Sequence, residues 1–223
     1  MRHPRCRATV AFMPPSLIII DDFLANPDVA RAAALRLTYD PAAKKGNYPG
    51  ILSDQPLRIP GLEAQVSTLA GTPLVPAPGT NHGQCRVTMQ GDRGITGVHI
   101  DPAAYSGILF LSRPEDCRGG TDFFRHKRTG LDRVPRDMAG IRAAGYNDIN
   151  RLIDEVVNGD TNRRSRWEKL FTVPMRYNRL LLFSPWLFHD AAPGFGTSPE
   201  TARLVMLMFF ADPPASASPP DGA

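Results

Sequence analysis

Hydrophobic spacing along this chain changes period near residue 84. Before that point a short continuous apolar run, Leu17 to Ile20, reads as a strand. Asn26-Pro27 then reads as N-cap and first-turn proline of a helix carrying Val29, Ala32, Ala33 and Leu37. Leu62, Val66 and Leu69 repeat the helical spacing, and Gly71 ends it, predicting a second helix from Gly61 to Leu69. From residue 84 onward the runs are short and strand-like: Cys85 to Gln90, Gly97 to Ile100, Gly107 to Leu111, Thr121 to Arg125, Leu180 to Phe183 and Arg203 to Phe210. Turn residues such as Gly91-Asp92, Gly119-Gly120 and Pro193-Gly194 separate most of them. A helical preface followed by many short strands predicts an all-β core, sandwich or barrel, with flanking helices (α+β). The stretch from Lys127 to Asn178 breaks the pattern. It is polar and arginine-rich, with helices predicted at Asn150 to Val157 and Ser165 to Phe171, and an insertion of this length reads as a lid or substrate surface.

Composition narrows the class. At 223 residues one domain accounts for the chain, and the apolar pattern assigns it to residues 16–212. Residues 1–15 and 213–223 lack an apolar pattern and are expected to be disordered. Hydrophobic residues at 42% and charged residues at 22% exclude the disordered and membrane classes. No apolar run approaches the roughly 20 residues of a membrane span, and the basic start is followed only by Ala8 to Met13 before Pro14-Pro15, so neither a membrane partner nor a secretion signal is expected. The net charge of +4 is spread along the chain rather than gathered into a stripe, which argues against a nucleic-acid partner. Cys6, Cys85 and Cys117 form no CxxC pair, and a reducing cytoplasm is the expected setting. Nothing in the pattern specifies an oligomer.

The chemistry concentrates in a few residues. In Val98-His99-Ile100-Asp101, alternation along a strand turns His99 and Asp101 to one face, about 6 to 7 Å apart at their Cα atoms. His189, in Trp186-Leu187-Phe188-His189-Asp190, follows the apolar strand Leu180 to Phe183 and is the candidate third ligand. Two imidazoles and one carboxylate on one face of a non-haem Fe(II) leave the other face open for cosubstrate and O2. Arg203 heads the apolar strand Leu204 to Phe210, where its fork suits the far carboxylate of a 2-oxo diacid. Elsewhere, His126 reads as a surface or supporting residue, His82 as structural in a turn, and Tyr48 as packing, with covering a substrate as its other reading. Arg86 and Gln90 share one face of a strand beside the His-x-Asp strand and are candidates to touch cosubstrate or product, while Trp186 and Phe188 read as a dry wall near the metal.

The ordered set of His99-x-Asp101, Gly119-Gly120-Thr121-Asp122-Phe123, Arg179 to Pro185 leading to His189, and Arg203 leading to Phe209-Phe210-Ala211-Asp212 resembles the prolyl-hydroxylase-like branch of the Fe(II)/2-oxoglutarate-dependent dioxygenases. The opening Ile18-Ile19-Ile20-Asp21-Asp22-Phe23-Leu24 is similar too, so the resemblance covers about residues 17–37 and 84–212. It implies a double-stranded β-helix, a jelly-roll or cupin-like barrel. It also implies His99, Asp101 and His189 as iron ligands, Arg203 as 2-oxoglutarate anchor, and O2 as oxidant. Where the family commonly places a tyrosine that helps hold the cosubstrate this chain has Phe110, which leaves Tyr105 or Thr121 as the expected helper of Arg203. Related halogenases carry a small residue at the carboxylate position, so Asp101 favours hydroxylation. The implied substrate is a small molecule or an amino-acid or peptidyl group. The rival readings are a non-catalytic metal- or ligand-binding barrel of the same fold and a nucleic-acid demethylase. The second is disfavoured because Leu204 to Phe210 are all apolar where that group usually carries a further arginine.

Overall fold

The computed structural model describes residues 15–43 and 46–214, so the expectations for residues 1–14 and 215–223 lie outside the described residues. The elements run β1 (Leu17–Ile20), α1 (Pro27–Leu35), β2 (Ile51–Pro56), α2 (Leu62–Ala70), β3 (Val75–Pro76), β4 (Gln84–Thr88), β5 (Tyr105–Phe110), β6 (Gly120–His126), α3 (Met138–Ala143), α4 (Ile149–Leu152), β7 (Trp167–Pro174), β8 (Leu180–Phe183), β9 (His189–Ala191) and β10 (Arg203–Ala211). Gly71 ends α2 in a left-handed conformation, and Pro27 starts α1, although Asn26 makes no side-chain cap.

Two antiparallel sheets result. The larger has the order β1-β8-β5-β10-β4-β2 with β3 paired to β10, and the smaller has the order β7-β6-β9. From β4 onward the chain alternates between them. β4 lies in the larger sheet, His99 bridges to His189 at the edge of the smaller, β5 returns, β6 and β7 form a hairpin in the smaller, and β8, β9 and β10 alternate again. This alternation is the winding of a double-stranded β-helix, and the three-stranded sheet gains its fourth edge only through the bridge at His99.

Side-chain alternation sorts the two faces of the larger sheet. Tyr105, Leu109, Leu204, Met206, Met208 and Phe210 pack outward with α1 and α2. Ile108, Phe110, Val205 and Leu207 point inward and meet Phe123 and Val173 of the smaller sheet. Leu109 is fully buried under the helices. Leu109→Ala is expected to destabilise the fold by about 2–5 kcal/mol, read from denaturant midpoints.

Several expectations change. The segment Gly97 to Ile100 is not a strand, because only His99 makes a β-bridge, and that bridge is isolated. The helix expected at Ser165 to Phe171 is instead a 3₁₀ turn at Arg164–Arg166 followed by β7, whose Trp167, Phe171, Thr172 and Val173 are strand formers paired along β6. The end of the predicted insertion is therefore part of the smaller sheet. The helix expected from Asn150 to Val157 forms as α4 and passes into a π-helical turn at Ile153–Asn158. Strands β2, β3 and β9 and helix α3 were not anticipated, being short and without a clear period.

Candidate metal centre

His99 and His189 are adjacent because their backbones pair. His99 N–H donates to His189 O at 2.9 Å and His189 N–H to His99 O at 3.1 Å. An antiparallel hydrogen-bonded pair of this kind brings residues about ninety positions apart to within about 5.5 Å at Cα. Asp101 lies just past the bridge, its N–H donating to Pro185 O. Its Oδ2 accepts from Ser106 Oγ at 2.7 Å, which turns the carboxylate back toward the rings. Ser106 was absent from the sequence reading. Its inward face on β5, shared with Ile108 and Phe110, is the signal that would have found it.

The donor atoms converge. His189 Nε2 is 3.3 Å from Asp101 Oδ2 and His99 Nε2 is 3.8 Å from Asp101 Oδ1. One ligand atom from each residue lies within 4.8 Å of the others, and this is the only such His/Cys/Asp/Glu cluster among the described residues. Both rings are oriented by the backbone, since His99 Nδ1 meets Gly97 O and His189 Nδ1 meets Leu187 O, each at 2.8 Å. A proton on each Nδ1 leaves each Nε2 lone pair facing the centre, the tautomer a metal requires. Burial, with the neighbouring His189 adding to it, pushes His99 down to about 4, so this ring is neutral at ordinary pH. At Asp101 burial opposes ionisation, but the His189 hydrogen bond and the charges of both rings outweigh it and hold the carboxyl well below its usual range. At His189 burial disfavours the charged ring, while the hydrogen bond and charge of Asp101 outweigh that and raise it. The donor set is thus an anionic carboxylate and two oriented imidazoles, which fits a divalent transition metal.

The cavity beside these donor atoms encloses about 790 Å³ of empty space, its open mouth included. Arg203 and Thr121 line it. Arg203 is buried, its Cζ stands 5.9 Å from the Phe110 ring, and among the described residues the only hydrogen bond of its side chain is a long one of 3.5 Å to Gly120 O. Arg203 Nε and Thr121 Oγ1 are both buried with no hydrogen-bond partner among the described residues. Burial, with the like charge of Arg86, pushes Arg203 down to about 10, still a cation at neutral pH. Two unsatisfied donors on one wall fit a carboxylate.

Tyr105, the other expected helper of Arg203, is not brought to this cavity. Alternation along β5 sends Ser106 inward and Tyr105 outward, where its hydroxyl donates to Pro15 O at 2.8 Å. Gln90 lies past the end of β4 and its N–H donates to Gly196 O. His82 Nδ1 sits 2.6 Å from Phe209 O, away from the ligands. His126 is fully buried, with Nε2 at 3.0 Å from Asp160 Oδ2 and Nδ1 at 3.0 Å from Thr129 Oγ1, and holds the insertion against β6.

That insertion reaches the centre through its corner at Asp160 to Arg164. Thr161 Oγ1 accepts from Gly97 N–H at 3.0 Å, Thr161 O accepts from Val98 N–H at 3.0 Å, and Arg164 pairs with Asp190, the residue after His189, at 2.7 Å. Gly97 therefore transmits the position of the insertion to His99. A Cβ at Gly97 would lie 2.5 Å from Thr161 O, closer than real contacts permit. Gly97→Ala is expected to weaken divalent-metal affinity by about 10–100-fold while the protein stays folded, as measured by metal titration alongside a melting curve.

Fold and donor set together define a double-stranded β-helix protein with a cluster of two histidines and one carboxylate able to hold a metal ion. The chain belongs to the family described as "Family of unknown function (DUF6445)", whose model matches residues 95–210, just over half of the chain. No curated protein matches it. Among solved structures it is similar to SnoK, a non-heme alpha ketoglutarate dependent carbocyclase from nogalamycin biosynthesis, at 17% identity and a TM-score of 0.52, covering 88% of this chain and 79% of that one. AviO1 from Streptomyces viridochromogenes Tue57 aligns at 12% identity and 0.51, covering 92% and 94%. SnoN, a non-heme alpha ketoglutarate dependent epimerase from nogalamycin biosynthesis, aligns at 16% and 0.50, covering 93% and 87%. At these identities the likeness is one of fold.

Proposed function

We propose that this protein is an Fe(II)- and 2-oxoglutarate-dependent oxygenase that hydroxylates a small molecule or an amino-acid or peptidyl group. The observation that carries the reading is that the metal-type donor set and an unsatisfied buried Arg203–Thr121 pair share one cavity. SnoK and SnoN, of the same fold, are described as alpha ketoglutarate dependent, which supports carrying that cosubstrate to this chain.

Iron held by His99, Asp101 and His189 would supply the redox capacity to couple O2 and 2-oxoglutarate to substrate, giving hydroxylated substrate, succinate and CO2. The protein's own tasks follow from its residues. Arg203 and Thr121 receive the far carboxylate of the diacid and so set which end approaches the ligands. Asp101, held by Ser106, keeps an oxygen donor in the position an exchangeable anion would otherwise take, which supports hydroxylation over halogenation. Phe183, with its ring 4.7 Å from that of His189, and Phe123 beside it form a dry wall that keeps bulk water from the rings. Among the described residues no helix is long and apolar enough to cross a membrane. The unpaired thiols Cys85 and Cys117 support a cytoplasmic setting.

The test is anaerobic addition of Fe(II) and 2-oxoglutarate, followed by air and ascorbate. A visible metal-to-ligand charge-transfer band and then succinate above a metal-free control are expected. A band with no succinate under any substrate mixture would assign the protein to the ligand-binding class instead. Neither band nor succinate would end the oxygenase reading.

A further inference from the structure

Arg86 is a second cation in the metal cavity, and the chemistry above leaves it without a task. It stands on β4, where Cys85 and Val87 pack outward and Arg86 and Thr88 face the cavity. Pairing places Arg86 opposite Val205 and Thr88 opposite Arg203. Arg86 and Arg203 are therefore diagonal neighbours on one face, about 7–8 Å apart by position. Among the described residues the Arg86 side chain has no hydrogen bond or ion pair, its backbone being paired with Val205 and Leu52. Its recorded contact is with the ring of Tyr48, whose centroid is 5.1 Å from Cζ. The Tyr48 ring lies in turn 4.9 Å from the ring of His99, tilted by 58°, so Tyr48 links Arg86 to a residue of the candidate metal centre. Burial lowers Arg86 from its ordinary value, and Tyr48 and Asp101 oppose that, so the group stays charged.

A partly buried guanidinium with no protein acceptor is a ready partner for an anion. The oxygenase reading cannot provide that anion. A divalent cation, the 2-oxoglutarate dianion, Asp101 and Arg203 cancel one another, and Asp190 is paired with Arg164. Arg86 is the charge left over once metal and cosubstrate are in place. It also sits where the cavity opens into a neighbouring groove that shares Tyr48, Asn81 and Arg86 with it, the direction left to substrate when Arg203 holds the cosubstrate.

We infer that Arg86 binds an anionic group, a carboxylate, of the substrate, with Tyr48 beside it fixing the distance from that group to the oxidised carbon. This rests on the proposed function and narrows its substrate to carboxylate-bearing molecules. Arg86 would then set orientation and specificity rather than hold the cosubstrate.

The test uses the full chain loaded with Co(II), saturated with 2-oxoglutarate under nitrogen, and titrated calorimetrically with hexanoate and with hexan-1-ol. The wild type is expected to bind the acid at least about tenfold more tightly than the alcohol, the scale of one charge-assisted pair. Arg86→Met should abolish that preference while leaving Co(II) and 2-oxoglutarate affinities within about threefold of wild type, and Arg86→Lys should restore part of it. Equal binding of acid and alcohol by the wild type, binding of neither, or an undiminished preference in Arg86→Met would overturn the inference. A loss of 2-oxoglutarate binding in Arg86→Met as large as that in Arg203→Met would make Arg86 a cosubstrate anchor and overturn it, with the oxygenase reading intact. A wild-type protein that takes up Co(II) but no 2-oxoglutarate would remove both.

Discussion

Asp101→Ala is expected to lower Fe(II) affinity by more than about 100-fold. Loss of a residue that only supports a ligand costs about 10–100-fold, and Asp101 is a ligand candidate and the sole anion among the three. Its removal takes away the charge that balances the cation and leaves only the two neutral imidazoles of His99 and His189 as donors. Ser106→Ala, which only releases the carboxylate, should fall within the smaller range. Binding and folding can be separated by linkage. At a metal concentration 100 times its dissociation constant the wild type gains about 2.7 kcal/mol of stability, and Asp101→Ala should lose that increment whatever its metal-free stability. Melting curves with and without metal measure this directly, and an unchanged metal-dependent shift in the variant would remove Asp101 from the site.

Arg203→Met is expected to leave metal binding intact and to weaken 2-oxoglutarate by about 30-fold to several thousandfold. The range follows from truncating one partner of a buried charge pair, about 2–5 kcal/mol at about 1.4 kcal/mol per tenfold. The fold should survive, because the guanidinium in the free protein is an uncompensated charge. Its Nε is unpartnered, burial and Arg86 push it down to about 10, and a methionine of similar length fills the space over Phe110. Arg203→Lys keeps the charge and loses the fork, so an intermediate affinity is expected. Titration of 2-oxoglutarate into the metal-loaded, oxygen-free variants reads this out. Wild-type affinity in Arg203→Met would show that the diacid is anchored elsewhere.

How much of this was legible beforehand differs from residue to residue. The pair His99 and Asp101 was visible because an i, i+2 spacing turns two side chains to one side. That held although Gly97 to Ile100 forms no strand, since the bridge at His99 supplies the extended geometry locally. Leu180 to Phe183 and Leu204 to Phe210 were legible as strands because they are continuously apolar, as suits strands buried on both faces for much of their length. The strand β7 was hidden because Arg163, Arg164 and Arg166 precede it and its second and third residues, Glu168 and Lys169, are both charged and exposed, so its local composition reads as a surface helix.

What the chain determined by itself is the chemistry on offer and the local geometry: which groups could ligate, which residues alternate, and where Gly71 and Pro27 bound helices. Pairing between distant strands was settled only in three dimensions. That pairing joins His189 to His99, turns Ser106 rather than Tyr105 inward, sets Arg86 diagonal to Arg203 and lays Thr161 against Gly97. Along a strand every second side chain changes face, so a one-residue shift in register would exchange the cavity for the outer core, and register is fixed by burying whole sheets against each other, not by any stretch of sequence read alone.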